Sequence, residues 1–221
     1  MGTHTSPGAT SFDLFGTLVA VERPSDPAAA VATELRARGV PVPDDWGDAY
    51  AESHVDAPEG AEVPLPTHVS AALASRGVDA TGEGHGDGRG NVLRRAVVAA
   101  FDPEVRTRHG ARRAVESAAD RGPVGVLSNC SVPELARRAL LRSDLDREAF
   151  DAVVTSVGCG WRKPDRRAFE AVAARLRVEP SALVHVGDDP RTDGGAADAG
   201  ATSILLDDVS LPELPAALEA R

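Results

Sequence analysis

Five short apolar runs divide the chain, and polar stretches with helical spacing lie between most of them. The runs are Ala9–Leu14, Val124–Leu127, Ala152–Thr155, Leu183–Val186 and Ser203–Leu206. Continuous apolar runs of this length are typical of strands buried on both faces of a sheet. Helical patterns alternate with them at Ala111–Arg121, Val132–Leu141, Arg166–Arg175, Asp193–Ala199 and Leu211–Ala220. The alternation predicts an α/β fold with a doubly wound, parallel, Rossmann-like sheet.

The alternation is interrupted between the first and the second apolar run by about a hundred residues without a convincing strand. Helical patterns occupy this segment at Ala28–Arg38, Trp46–Glu52, Thr67–Arg76 and Val92–Phe101. We therefore predict a small all-helical cap over residues 20–105, with residues 1–19 and 106–221 forming the α/β core. Open α/β sheets bind ligands at the carboxyl ends of their strands, so a cap inserted after the first strand is expected to cover the binding site.

Composition excludes several classes of partner. The net charge is −10, and a strongly acidic chain repels nucleic acid and anionic membranes, so we expect neither as a partner. Every apolar run falls short of the roughly 20 residues that a membrane-spanning helix needs. The polar N-terminus and the presence of only two cysteines favour a cytoplasmic protein. The scarcity of lysine and the abundance of alanine and aspartate favour a salt-adapted halophile, and a GC-rich codon bias, which also replaces lysine by arginine, is the alternative explanation.

Two of the predicted strands end in polar residues that could carry chemistry. Asp13 ends the first run and is followed by a Gly-Thr turn that includes Thr17, which would place a carboxylate in the crevice. Ser128 and Asn129 follow the second run, where a hydroxyl can donate to an anionic oxygen. Each feature also has an ordinary structural explanation, as a turn residue or a helix cap, and is weak evidence by itself.

Lys163 is singled out by composition. It is the one lysine among 24 basic residues, and the other 23 are arginines. An isolated lysine is usually a solvated surface charge, but that explanation does not account for lysine at this position alone. A compact ammonium can sit between two carboxylates where the planar guanidinium fork does not fit. The sequence therefore favours a functional lysine after the third strand.

A cluster of carboxylates follows the fourth apolar run. Asp188, Asp189 and Asp193 fall within six residues at the end of the predicted strand. Carboxylate oxygens at this density are typical of a hard-cation site, although an acidic turn that caps the following helix is the alternative.

In chain order, an aspartate, a serine, a lysine and an Asp-Asp pair thus follow the first four strands. This constellation closely resembles the four motifs of the haloacid dehalogenase superfamily, over residues 9–18 and 110–206. The resemblance implies that Asp13 is the nucleophile of a covalent aspartyl intermediate, that Ser128 holds the phosphate and that Lys163 is the positive orienting group. It also places the first strand centrally, between the strands that begin at 124 and 183.

The same resemblance implies a Mg²⁺ cofactor. Its expected ligands are Asp13, the backbone carbonyl of Phe15 and Asp188, with Asp193 in support. Thr17 and Asn129 are expected to accompany Ser128 at the bound phosphate. Three converging carboxylates with one lysine leave excess negative charge, and each close pair costs on the order of 4 kcal/mol at an effective dielectric near 20. A divalent cation would relieve this repulsion.

One position departs from the phosphatase pattern. Phosphatases of this superfamily usually carry a second aspartate two residues after the nucleophile, and this chain has Phe15 there. We expect a Mg²⁺-dependent phosphatase of a small phosphorylated metabolite. An aromatic at this place is similar to the metal-independent 2-haloacid dehalogenases, which remain an alternative. A catalytically weak metabolite-binding protein is a further alternative. Phosphonate cleavage through a Schiff base in the cap is excluded because that segment contains no lysine.

Overall fold

The computed structural model describes residues 8–79 and 89–220. The described chain divides into two compact units. One contains the chain up to Val21, Val105–Cys130 and the chain from Ala136, and we call it the core unit; the other contains Glu22–Glu104 and Ser131–Leu135, and we call it the helical unit. No helix in the described segments is long and apolar enough to cross a membrane.

Seven strands and nine α-helices occur within residues 8–79 and 89–220. The strands are β1 (Ala9–Phe12), β2 (Val19–Val21), β3 (Val105–Thr107), β4 (Val124–Ser128), β5 (Ala152–Thr155), β6 (Leu183–Gly187) and β7 (Thr202–Leu205). The helices are α1 (Pro27–Arg36), α2 (Trp46–Ala51), α3 (Leu65–Ser75), α4 (Arg89–Ala100), α5 (Ala111–Ala119), α6 (Leu135–Arg142), α7 (Ser156–Cys159), α8 (Arg166–Leu176) and α9 (Leu214–Glu219).

The main sheet confirms the predicted fold class. It has five strands in the order β5-β4-β1-β6-β7, and every pairing is parallel. The first strand is central, as expected, since Thr10 pairs with Val124 on one side and Ser11 pairs with His185 on the other. Parallel strands point their carboxyl ends to one edge, and this edge therefore gathers the residues that follow β1, β4 and β6.

Apolar side chains cover both faces of this sheet. On one face, Phe12 packs in a cluster with residues of α5 and α9, and on the other, Leu127 and Leu183 pack with Phe169 and other residues of α8. Successive side chains of a strand point to opposite faces, which is why a continuous apolar run serves both clusters. Burying a side chain of this size typically contributes about 1.5–3 kcal/mol.

The structure corrects several expectations about local structure. The segment between the first two apolar runs does contain strands, because β2 and β3 form an antiparallel pair in which Val19 lies opposite Thr107. Three residues per strand are too few to produce a readable alternation of polar and apolar positions. The helix expected over 132–141 begins at Leu135, and the one expected over 193–199 is a 3₁₀ helix.

The helical unit contains α1 to α4. Helix α1 begins after Asp26, whose carboxylate accepts a hydrogen bond from the Ala29 N–H at 2.8 Å, and Pro27 occupies its first turn. Both features are standard helix-start signals. Val31 and Leu35 of α1, Leu73 of α3 and Val97 of α4 are buried. Within residues 22–79 and 89–104 we find helices but no strand.

Candidate active site

Polar side chains collect at the carboxyl edge of the main sheet. Asp13 follows β1 directly, and its N–H donates to the carbonyl of Val186 on β6 at 2.8 Å. Ser128 is the last residue of β4, and Asp188 follows the last residue of β6. The four sequence motifs therefore meet in the core unit, with Lys163 supplied by the loop after α7.

Lys163 lies between two carboxylates. Its Nζ donates to Asp13 Oδ1 at 2.7 Å and to Asp193 Oδ1 at 2.6 Å. The Lys163 side chain is 1% exposed, and the side chains of Asp13 and Asp193 are 10% and 2% exposed. A buried ammonium is tolerated only when it is paired and hydrogen-bonded, and here two anions share one cation. The side chain is thus placed as an internal bridge and not as a surface charge.

The side chain of Asn129 holds the backbone of Lys163. Its Nδ2 donates to the Lys163 carbonyl at 2.9 Å, and its Oδ1 accepts from the Lys163 N–H at 2.8 Å. This pair of hydrogen bonds ties the residue after β4 to the loop that carries the lysine. The side-chain amide of Asn129 is therefore engaged by the protein, and its expected contact with substrate stays a prediction.

Burial raises the pKa of Asp13 to about 6. The charge of Lys163 acts in the opposite direction, while the carboxylates of Asp193 and Asp188 raise this pKa further. The charges of both neighbouring acids therefore act on Asp13 at this edge of the sheet. Near neutral pH Asp13 is predominantly ionised, which is the state that a carboxylate nucleophile requires.

Asp193 is held from three sides. Its Oδ1 accepts from Lys163 and also pairs with Nε2 of His185 at 3.0 Å, while its Oδ2 accepts from the Asp189 N–H at 3.0 Å. Burial alone would raise the pKa of Asp193, but the hydrogen bond from His185 and the charge of Lys163 keep it well below its usual range. Both carboxylate oxygens are engaged, so this geometry suits a supporting role better than direct metal ligation.

His185 and Ser11 belong to this network, although neither stands out in the sequence. His185 is 0% exposed, and its Nδ1 lies 2.8 Å from the hydroxyl of Ser11. Burial lowers the pKa of His185 to about 4, so the ring is neutral near pH 7. In the sequence, the one feature that marks His185 is its position inside an otherwise apolar run. That feature does not distinguish a histidine that only packs in the core from one that takes part in the active site.

Asp188 is fixed by the turn that follows Asp13. Thr17 Oγ1 donates to Asp188 Oδ1 at 2.8 Å. Gly16 has a positive φ of 100°, and a Cβ there would lie 2.4 Å from Asp188 Oδ2. Only glycine allows the turn to approach the carboxylate this closely. The hydroxyl of Thr17 is thus engaged by the protein, and its expected contact with phosphate stays a prediction.

Ser128 carries a buried hydroxyl with no partner. Among the described residues, its Oγ is the one buried side-chain oxygen or nitrogen without a hydrogen bond. A buried hydroxyl that donates to nothing costs free energy unless a ligand completes it. An anionic oxygen bound at this edge would complete it.

The residues present fit a magnesium ion. Within residues 8–79 and 89–220, no three His, Cys, Asp or Glu side chains form a group that could hold a metal ion. Two carboxylates, those of Asp13 and Asp188, nevertheless lie at this edge of the sheet. Mg²⁺ typically binds one or two protein carboxylates and completes its octahedral coordination with water and substrate oxygens, so this smaller set suits it. The second oxygen of each has no protein hydrogen bond among the described residues.

An open parallel sheet whose central strand is followed by an aspartate that a buried lysine holds defines a Rossmann-like class of α/β proteins. The chain belongs to the haloacid dehalogenase-like hydrolases, a family that matches residues 9–200. A phosphatase of Mycobacterium tuberculosis is 37% identical over 98 residues, which cover 44% of this chain and 45% of that protein. The matched segments span less than half the length of each curated relative.

Solved structures show the same fold. The 2-haloacid dehalogenase of Pseudomonas syringae pv. Tomato is 21% identical, with a TM-score of 0.69, and the match covers 96% of this chain and 98% of that one. The HAD-hydrolase YfnB of Bacillus subtilis, bound to magnesium, is 17% identical with a TM-score of 0.52, over 97% and 99% of the two chains. A 2-haloacid dehalogenase and a magnesium-bound hydrolase thus share this architecture.

Replacing Lys163 with arginine should remove most of the activity. The guanidinium keeps the charge but cannot occupy the position from which Nζ reaches both carboxylates, so we expect kcat/KM to fall by at least about 100-fold. Steady-state kinetics on the purified variant measure this loss. Arg175→Lys on the exposed side of α8 is the matched control and should behave as the wild type. Wild-type rates for Lys163→Arg would contradict the bridging role.

Asp13 should make stability depend on pH in a defined window. The pKa of Asp13 in the folded protein, about 6, exceeds the ordinary value of 3.8. The contribution of this shift to the free energy of unfolding is therefore complete below about pH 4 and is lost as the pH rises through about 6. Between pH 4 and 7, in chelator, the unfolding free energy of the wild type relative to Asp13→Asn should fall by about 2–3 kcal/mol. Urea denaturation of both proteins measures the difference, and a difference independent of pH would contradict the assignment.

Proposed function

We propose that the protein is a Mg²⁺-dependent phosphatase of a small phosphorylated metabolite that works through a covalent aspartyl intermediate. The observation that carries this proposal is the pairing of Asp13 and Asp188 at one sheet edge with a single ammonium, Lys163. The charge of Asp188 raises the pKa of Asp13, and among the described residues each of these carboxylates has one oxygen with no protein hydrogen bond. This arrangement favours a site that takes a cation together with an anionic substrate.

The reaction would proceed in two displacements at phosphorus. A carboxylate oxygen of Asp13 attacks the phosphoryl group, an O–P bond forms, and the bond to the leaving oxygen breaks with its electron pair. Water then attacks the phosphorus of the aspartyl phosphate, and the O–P bond to Asp13 breaks with its electron pair. Hydrogen phosphate and one proton leave, and the carboxylate of Asp13 is restored. Lys163 keeps that carboxylate oriented through both steps because its Nζ holds Oδ1.

Ser128 would hold the transferring group. Its unpartnered hydroxyl can donate to a phosphoryl oxygen, which would satisfy the buried group and fix the phosphorus opposite Asp13. Magnesium bound by Asp13, the Phe15 carbonyl and Asp188 would supply positive charge for the phosphoryl oxygens as negative charge develops on them. Asp193 would act indirectly, by holding Lys163.

The leaving group finds no acid at the position where phosphatases of this family usually carry one. Phe15 is partly buried and packs against the apolar core of the sheet, and its ring cannot transfer a proton. General acid catalysis is typically worth about 10²–10⁴-fold in rate. We therefore propose that efficient turnover is restricted to substrates whose leaving group departs without a proton, such as acyl or aryl phosphates.

A 2-haloacid dehalogenase is the second candidate, and Phe15 is the observation that favours it. In that reaction a carboxylate of Asp13 would attack carbon and expel a halide, which needs no acid and no metal. Asp188 argues against it, because a second carboxylate raises the cost of bringing a haloacid anion to Asp13. The phosphatase of Mycobacterium tuberculosis and the magnesium in YfnB support the first candidate by similarity.

Several expectations from the sequence stay proposals. We propose that residues 20–105 act as the substrate-selecting cap. The cytoplasmic location and the adaptation to salt likewise rest on composition.

A panel of phosphorylated metabolites and 2-chloropropionate, assayed with magnesium and with chelator, separates the candidate functions. If the protein releases phosphate only with magnesium, and Asp13→Asn abolishes that release, the result supports the phosphatase proposal. If it releases chloride from 2-chloropropionate without metal, the result contradicts the phosphatase proposal and supports the dehalogenase.

Asp188→Asn should weaken magnesium binding. The substitution keeps the shape of the side chain but removes one of the two anionic ligands, so we expect the apparent affinity to fall by about 10- to 100-fold. Isothermal titration with MgCl₂ measures this directly, with Asp189→Asn as the neighbouring control, because the Asp189 side chain accepts from Arg191. Equal affinity for Asp188→Asn and the wild type would contradict the proposed ligand set.

Phe15→Asp should narrow the preference for good leaving groups. In the wild type, 4-nitrophenyl phosphate should turn over faster than an alkyl phosphate by about 10²–10⁴-fold because nothing protonates the alkoxide. An acid at this position should raise the rate with the alkyl phosphate and leave the rate with the aryl phosphate nearly unchanged. Phe15→Asn is the control, because asparagine has the shape of the introduced aspartate but carries no acidic proton. Equal wild-type rates for both substrates would show that another proton donor exists.

A further inference from the structure

A buried pair of polar residues lies on two adjacent strands in the middle of the main sheet. Ser11 on β1 and His185 on β6 lie opposite each other in the parallel register, and both are 0% exposed. Phe169 of α8 covers the imidazole with an edge-to-face contact, at 5.1 Å between the ring centroids. The neighbouring positions Val184 and Val186 are apolar, as a buried parallel strand requires.

The hydrogen bonds of the imidazole have one consistent direction. The carboxylate of Asp193 is ionised and can only accept, so Nε2 of His185 carries the hydrogen and donates to Oδ1 at 3.0 Å. In the neutral ring Nδ1 is then the acceptor, and the hydroxyl of Ser11 donates to it at 2.8 Å. The carboxylate of Asp193 therefore selects the tautomer of His185, and the hydroxyl of Ser11 supplies the donor that Nδ1 needs in that tautomer.

His185 and Lys163 meet at the same oxygen. Oδ1 of Asp193 accepts from Nε2 at 3.0 Å and from Nζ at 2.6 Å, and Nζ continues to Asp13 at 2.7 Å. A continuous line of hydrogen bonds thus joins the centre of the sheet to Asp13. A Cβ at Gly187 would lie 2.0 Å from Cγ of Asp193, so the carboxylate packs directly against the backbone of β6.

We propose that His185, whose Nδ1 is held by the hydroxyl of Ser11, is a positioning residue that fixes the carboxylate of Asp193 and thereby aims Lys163 at Asp13. This inference rests on the proposed role of Asp13 and Lys163 in the reaction. A buried histidine costs stability at a strand position where valine would serve for packing alone. The imidazole supplies a hydrogen-bond donor to the carboxylate of Asp193, which valine could not do.

Kinetics of two substitutions at His185 separate positioning from packing. His185→Leu fills the space without a donor, and we expect kcat for 4-nitrophenyl phosphate with saturating MgCl₂ to fall by about 10- to 100-fold while KM changes little. His185→Gln retains one donor and one acceptor and should recover most of kcat. Phe169→Leu is the control: it disturbs the packing of the ring, so it should lower Tm and leave kcat near that of the wild type.

A second readout follows Lys163 without any turnover. Lys163 is the single lysine of the chain, so a tag-free protein labelled with ¹⁵N-lysine gives one ammonium signal by NMR. We expect a sharp, exchange-protected Nζ signal in the wild type, in His185→Gln and in Phe169→Leu. In His185→Leu this signal should shift and broaden, because Oδ1 of Asp193 has lost the donor that fixes it.

The outcomes are distinct. Loss of kcat and of the sharp signal in His185→Leu, with both recovered in His185→Gln, supports positioning. Wild-type kcat and signal in His185→Leu, or equal loss of kcat in both His185 variants, overturns it. If His185→Leu does not fold, Ser11→Ala replaces it, and an unchanged kcat and Lys163 signal in that variant overturn the proposal. Failure of the proposed function is a separate result, namely a wild type without Asp13-dependent phosphate release.

Discussion

The buried ammonium of Lys163 is the interaction on which the rest of the site depends. Its Nζ lies within 2.7 Å of Asp13 and 2.6 Å of Asp193, inside a part of the sheet edge where all three side chains are almost fully enclosed. Removing one partner of such a group would leave an uncompensated charge in a poorly solvated place, which typically costs about 3–5 kcal/mol. The two carboxylates and the ammonium are therefore mutually necessary, and their spacing is fixed by electrostatics as much as by the backbone.

The remainder of the core unit supplies that cluster from separate parts of the chain. The strands β1 and β6 bring Asp13 and Asp193 to one edge, and Asn129 after β4 clamps the backbone of Lys163. The network tolerates ionised groups because nearly every donor and acceptor in it has a partner. Among the described residues, the buried hydroxyl of Ser128 has no partner, and the second carboxylate oxygens of Asp13 and Asp188 accept no protein hydrogen bond. A satisfied framework around one unsatisfied donor is the expected state of a preorganised site that awaits an anionic ligand.

The sequence was informative where a residue type conflicted with its surroundings. Apolar runs predicted the five parallel strands because both faces of the sheet are covered, and the lone lysine predicted a buried bridge because an ammonium has a shape that arginine cannot copy. It was uninformative where the pattern was short or the residue was ordinary. The three-residue strands β2 and β3 are set by pairing with each other, and no local periodicity announces them.

The sequence by itself therefore determined the class of fold, the family and the set of charged groups that must meet, since these follow from hydrophobic pattern and motif order along the chain. Tertiary structure decided the connections among them. Asn129, whose contact with substrate stays a prediction, holds the backbone of Lys163 through both ends of its side-chain amide. His185 became part of the network only because the register of β1 and β6 places it against Ser11. Hydrogen-bond partners separated by 34 and 174 residues are chosen by strand register and loop geometry, which no local pattern encodes.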